Sequence, residues 1–122
     1  MEGRCRDVGG VRVFECAEDG AQLSTERDAT DVLGAAWGER AALVAIPTAR
    51  LHPDFFRLET RMAGAFLQKF VTYQMRVAIV GQMTEHLQRS TALRDFVRES
   101  NKGDQIWFLE SMDELGMRFQ NQ

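Results

Sequence analysis

The sequence is poor in several things. Cysteine is confined to Cys5 and Cys16, proline to Pro47 and Pro53, and histidine to His52 and His86. Two isolated cysteines exclude a disulfide framework and a zinc site built on close ligand pairs. No long apolar run exists: the longest, residues 41–47 and 77–80, fall far short of the roughly 20 residues that cross a bilayer. The opening residues carry Arg4, Arg6 and Asp7 with no apolar stretch behind them, so no signal peptide is expected. Charge of one sign is also missing. Fifteen Lys and Arg stand interspersed among eighteen Asp and Glu, a formal net charge of -3, which argues against a nucleic-acid footprint or a membrane-binding basic patch. No glycine-rich phosphate loop, nucleophile elbow or paired-histidine metal motif occurs, and no cofactor or metal is expected. What remains is 122 residues, 44% apolar, the size of one ordinary domain with an ordinary supply of core. A soluble cytoplasmic protein is the expectation.

Residues 11–16 alternate apolar and polar, the mark of a half-buried strand, and Gly9-Gly10 is a hairpin turn that pairs them with residues 4–8. That register sets Cys5 opposite Phe14 with Cys16 on a diagonal, so the reading is two free thiols. Ala29, Val32, Leu33, Ala36 and Trp37 have helical spacing behind a cap at Thr25 with Asp28 as its N3 partner, ending near Gly38. Residues 41–46, wholly apolar and stopped by Pro47, suit a strand covered on both faces. The longest helical pattern spans 53–73, burying Phe55, Phe56, Met62, Ala63, Phe66, Leu67 and Phe70. A second interior strand follows at 75–80, closing on Gly81. Ser90 caps a helix to Asn101, residues 106–109 form a last strand, and Ser111 with Glu114 opens a C-terminal helix. Strand-helix-strand crossovers of these lengths make neighbouring strands parallel. The fold expected is α/β, a mixed, mostly parallel sheet of about five strands with an N-terminal hairpin and four helices. The layout resembles a STAS domain, the fold of bacterial anti-sigma-factor antagonists.

The segment from Thr48 to Asp54 joins a strand's carboxyl end to a helix start, where open α/β sheets bind ligands. There His52 and Asp54 form either an acid/base pair or a helix cap. A second polar cluster, Arg94, Asp95, Glu99, Ser100 and Asn101 with Arg98 and Lys102, reads either as a solvated charged face or as part of a site. Thr60, Gly64 and Gln68 make a narrow seam on the long helix, suited to close packing of another backbone. The methionines and the Phe55-Phe56 pair read as core.

Four phrases stand in order along the chain: Leu51-His52-Pro53-Asp54-Phe55-Phe56-Arg57-Leu58-Glu59-Thr60; Ala63-Gly64-Ala65-Phe66-Leu67-Gln68-Lys69-Phe70; Ala78-Ile79-Val80-Gly81; and Leu93 through Gly103. Together, over about residues 8 to 115, they resemble the bacterial family called domain of unknown function 4180, whose name assigns no activity. The resemblance implies interest in its matching polar positions: Asp54, Thr60, Gln68, Lys69, Arg94, Asp95, Glu99, Ser100 and Asn101. It also marks two departures, since the family pattern has Gly where this chain has Arg61 and often an acid where it has Gln82.

Two functions follow as expectations. The first is a small non-enzymatic binding or interaction module, regulatory, docking a protein partner or small ligand near Thr48, His52 and Asp54. The phosphorylation switch of the STAS antagonists lacks its Asp-x-Ser-Gly phrase here. The alternative is a cofactor-independent tailoring enzyme with His52 or Glu99 as general acid/base and Arg94 or Lys69 steadying negative charge. A homodimer built through the long helix is a third, structural option.

Overall fold

A computed structural model describes residues 3–121. The chain runs β1 (Gly3–Val8), β2 (Val11–Cys16), α1 (Glu26–Gly38), β3 (Leu43–Pro47), three short 3₁₀ turns (Thr48–Arg50, Pro53–Phe56, Leu58–Thr60), α2 (Met62–Thr72), β4 (Arg76–Val80), α3 (Thr84–Arg89), α4 (Thr91–Lys102), β5 (Ile106–Leu109) and α5 (Met112–Gln120). The five strands lie in sequence order, with β1 antiparallel to β2 and the rest parallel. Gly9 and Gly10 both have positive φ, which lets two residues turn the hairpin in the strands' own twist. Cys5 faces Phe14, as the hairpin register requires, and both thiols are free.

Strands in consecutive order, joined by crossovers of one hand, send every intervening helix to the same side. Two cores reflect this. Phe14, Val44, Ile46, Val77, Ile79 and Phe108 point toward α1, α2 and α4, while Val13, Leu43, Ala45, Ala78, Trp107 and Leu109 face the side that carries α5 and its buried Leu115. β3 is thus covered on both faces, as its uninterrupted apolar run demands. Helix α1 starts with a full capping box: Thr25 Oγ1 accepts from Asp28 N–H, and the Asp28 carboxylate accepts from Thr25 and Ser24. Burial pushes the Asp28 carboxyl up, but those hydrogen bonds and the nearby Arg27 outweigh it and hold it below its ordinary value.

Several expectations fail here for identifiable reasons. The 53–73 helix is two 3₁₀ turns followed by α2, because Arg61 sits at φ 65°, ψ 7°, a left-handed conformation that interrupts the ladder. Thr60 Oγ1 reinforces the break by bonding to the Asp54 and Arg57 carbonyls, the local competition that hydroxyl side chains offer a helix. A fifth helix, α3, occupies the segment before Ser90. Gly64 packs against nothing: a Cβ built there meets open space, so the expected close seam does not exist. Trp37 leaves the core stripe, standing 48% exposed with its ring edge against Tyr73, and Met117 is exposed as well. No helix among the described residues is long and apolar enough to cross a membrane.

Candidate ligand-binding site

The residues marked out by sequence are mostly held by local bonds. His52 caps the 3₁₀ turn at Pro53: its Nδ1 accepts from the Asp54 backbone N–H at 3.0 Å, while the Asp54 carboxylate stands 3.8 Å from that nitrogen. Accepting that bond uses the Nδ1 lone pair, so in the neutral ring the proton sits on Nε2, away from Asp54. Thr60 ties this turn to α2, bonding backward to two carbonyls and accepting from Met62 N–H. Gln68 donates to Thr72 on its own helix, and Lys69 pairs with Glu26 across to α1. Arg94 binds the Leu87 carbonyl and Thr91, fastening α3 to α4. Asp95 pairs with Arg98, and Glu99 with Lys102, on the outer face of α4. Ser100 contributes its carbonyl to the α4 stop at Gly103. Asn101 acts as a short substitute strand: its amide accepts from Phe108 N–H and donates to Phe108 C=O, satisfying the outer edge of β5. Thr48 presses on Gly81, which has φ 141° and leaves no space for a side chain.

His52, Asp54 and Thr60 come together in the turns before α2, but neither of the two cavities described here is lined by both Asp54 and Glu99 or Asn101. Asp54 lines a groove of about 530 Å³ with Phe56, Arg57, His86, Arg89 and Ser90 on the helical side, where His86 stacks on Phe56 at 4.3 Å between ring centroids. His86 was not marked by sequence, because nothing in its neighbours announces the stack. Glu99 and Asn101 belong to the other end of α4. Among the described residues no group of three or more His, Cys, Asp or Glu side chains could hold a metal ion.

The larger cavity lies on the opposite face, and its origin is geometric. A five-strand sheet is roughly 20 Å wide and a helix about 10 Å across, so α5 alone cannot cover its side. It runs from the end of β5 toward the hairpin turn, where Gly116 meets Gly9 and Val8. The carboxyl ends of β2, β3 and β4 are left open, enclosing about 650 Å³. The base is apolar: Pro47 and Val80 are partly exposed there and Ala45 is buried, with Met112 also lining the cavity. The cavity lies at the carboxyl ends of the parallel strands, the edge where open α/β sheets bind ligands, although the strand order here nowhere reverses; the connection after β4 goes to one face and that after β5 to the other, so the two part between these strands. Gly81 N–H closes that point on the Leu109 carbonyl at 2.9 Å.

Its charges come from three walls. Glu15 is neutralised by Arg6 at 2.7 Å, an interaction that also pushes the Arg6 guanidinium up. Arg4, Glu18 and Glu110 also line the cavity and have no ion-pair partner among the described residues. The wall at Ala17 and Glu18 is held by Arg50, 3% exposed, whose guanidinium donates to the Ala17 and Ala21 carbonyls at 2.9 and 2.7 Å. Sequence gave no sign of Arg50, a lone basic residue in a loop. Cys16 borders the cavity, but burial pushes its thiol up to about 11 against the pull of Arg50, making it a poor nucleophile near neutrality.

A family model described as Domain of unknown function (DUF4180) matches residues 8–119. The chain belongs to that family. No curated protein and no solved structure matches it, so nothing here supports the expected likeness to a STAS domain. The match takes in β2 to α5 and so nearly all the cavity lining, with Gly3 and Arg4 of β1 outside it.

Proposed function

We propose that this DUF4180 chain is a small non-enzymatic binding module whose ligand occupies the cavity at the carboxyl ends of β2, β3 and β4. The observation that carries this is the cavity itself: about 650 Å³, apolar at its base and charged at its walls, at the carboxyl ends of the parallel strands. The volume lies within the roughly 300–1,000 Å³ of small-ligand sites. The site thus moves from the His52 loop to the other face of the sheet, because His52, Asp54 and Thr60 are engaged in shaping the chain between β3 and α2. The enzymatic alternative has no assembled group to carry it: His52, Glu99, Arg94 and Lys69 each bond to different partners.

Native mass spectrometry tests the reading on protein purified gently from its own host, beside a Val80→Phe variant that enlarges a partly exposed side chain in the cavity lining. A small retained mass above 13.9 kDa that vanishes in the variant, with circular dichroism unchanged, is the expected result. A retained mass indifferent to the substitution, or a second protein chain in its place, would contradict it.

A further inference from the structure

We infer that the cavity takes an organic cation, a small molecule with ammonium groups joined by a short hydrocarbon chain. The inference rests on the cavity being the binding site and adds the chemistry of its occupant. Three observations lead to it. The base, Ala45, Pro47 and Val80, is apolar and suits methylene groups. Glu15 and Arg6 cancel, so among the described residues the side-chain charges at the walls without an ion-pair partner are Glu18, Glu110 and Arg4, two carboxylates to one guanidinium. Glu18 follows β2 and Glu110 follows β5, three strand spacings away, which sets their backbones roughly 14 Å apart on opposite walls. With each carboxylate reaching from its own wall, the span between them suits a molecule charged at both ends and greasy in the middle. An anion of the same shape meets two carboxylates and a single guanidinium carried on the edge strand β1.

Three molecules of matched length isolate the charge: 1,4-diaminobutane, 1,4-butanediol and succinate. Each is titrated into ¹⁵N-labelled protein at low ionic strength, following the backbone amides of Ala45, Val80, Gly81 and Glu110. The diamine is expected to shift these amides saturably, the diol and the diacid not. The double variant Glu18→Gln/Glu110→Gln should weaken the diamine about tenfold, the sum of two exposed charge contacts. Arg4→Gln should tighten it, and added salt should weaken it. All three side chains are exposed on the surface, so the fold should survive, as melting curves will verify. Succinate or butanediol binding as well as the diamine would overturn the cationic class while leaving the cavity as the site. Diamine binding that ignores the double variant, or no shift of these amides by any of the three, would also overturn the inference.

Discussion

Replacing Arg61 with Gly should stabilise the protein, contrary to the usual expectation for a glycine introduced beside a helix. Arg61 is the residue between the last 3₁₀ turn and α2, with φ 65° and ψ 7°. A side chain in that conformation crowds the following carbonyl and costs about 1–2 kcal/mol, which glycine does not incur. Arg61 contributes backbone bonds, from its N–H to Leu58 and to its carbonyl from Ala65, and a glycine makes both equally well. Its side chain is exposed and has neither a hydrogen bond nor an ion pair among the described residues. Against the gain stands the larger freedom of glycine in the unfolded chain, about 0.5–1 kcal/mol. The net is a gain of about 0.7 kcal/mol. For 122 residues the unfolding entropy near the midpoint is about 0.26 kcal/mol/K, so Tm should rise by about 3 °C. Thermal unfolding followed by circular dichroism measures this, with Arg61→Ala as the control, because alanine retains the left-handed penalty. An unchanged or lowered Tm for Arg61→Gly, or an equal rise for Arg61→Ala, would refute the reasoning.

Three further substitutions probe other joints. Arg50→Met leaves the Ala17 and Ala21 carbonyls without their buried donor and should cost about 2–4 kcal/mol in chemical denaturation, with faster amide exchange over residues 17–23. Asn101→Ala exposes the Phe108 N–H and C=O on the outer edge of β5; a loss of about 1–3 kcal/mol is expected, and a melting curve matching wild type would contradict the bracing role. Asp28→Ala removes half of the α1 capping box and should cost about 1 kcal/mol at neutral pH. Because the folded carboxyl lies below its unfolded value of 3.8, that stabilisation is full above 3.8 and fades as pH falls through the folded value. The gap between wild type and variant should therefore close in acid, and a gap that persists there would contradict the assignment.

Elements with two independent signals were legible in the sequence. The hairpin announced itself by Gly9-Gly10 and by alternation, α1 by its capping box and apolar spacing, and β3 by an unbroken run ended at Pro47. The break in the 53–73 segment was not, because Phe55 and Phe56 precede Met62 and Ala63 by one heptad and so imitate a continuous helix. Only the backbone at Arg61 and the hydroxyl bonds of Thr60 distinguish the two. The site was half legible. The proposed cavity lies at the carboxyl ends of the parallel strands, the address the sequence also names, but which face of the sheet stays uncovered depends on strand order and on the single helix α5. Polar residues near Asp54 and Glu99 drew attention because they cluster in sequence. Glu18, Arg50 and Glu110 are far apart along the chain and are brought to or behind one cavity only by the fold.

The most direct test of the central claim is an amide chemical-shift map of the ¹⁵N-labelled protein against a diverse fragment set. The account predicts that the fragments that bind perturb Ala45, Val80, Gly81 and residues 110–112, and lose that effect in Val80→Phe. Perturbations gathered instead at residues 53–57 and 86–90, around the Phe56 and His86 stack, would contradict it.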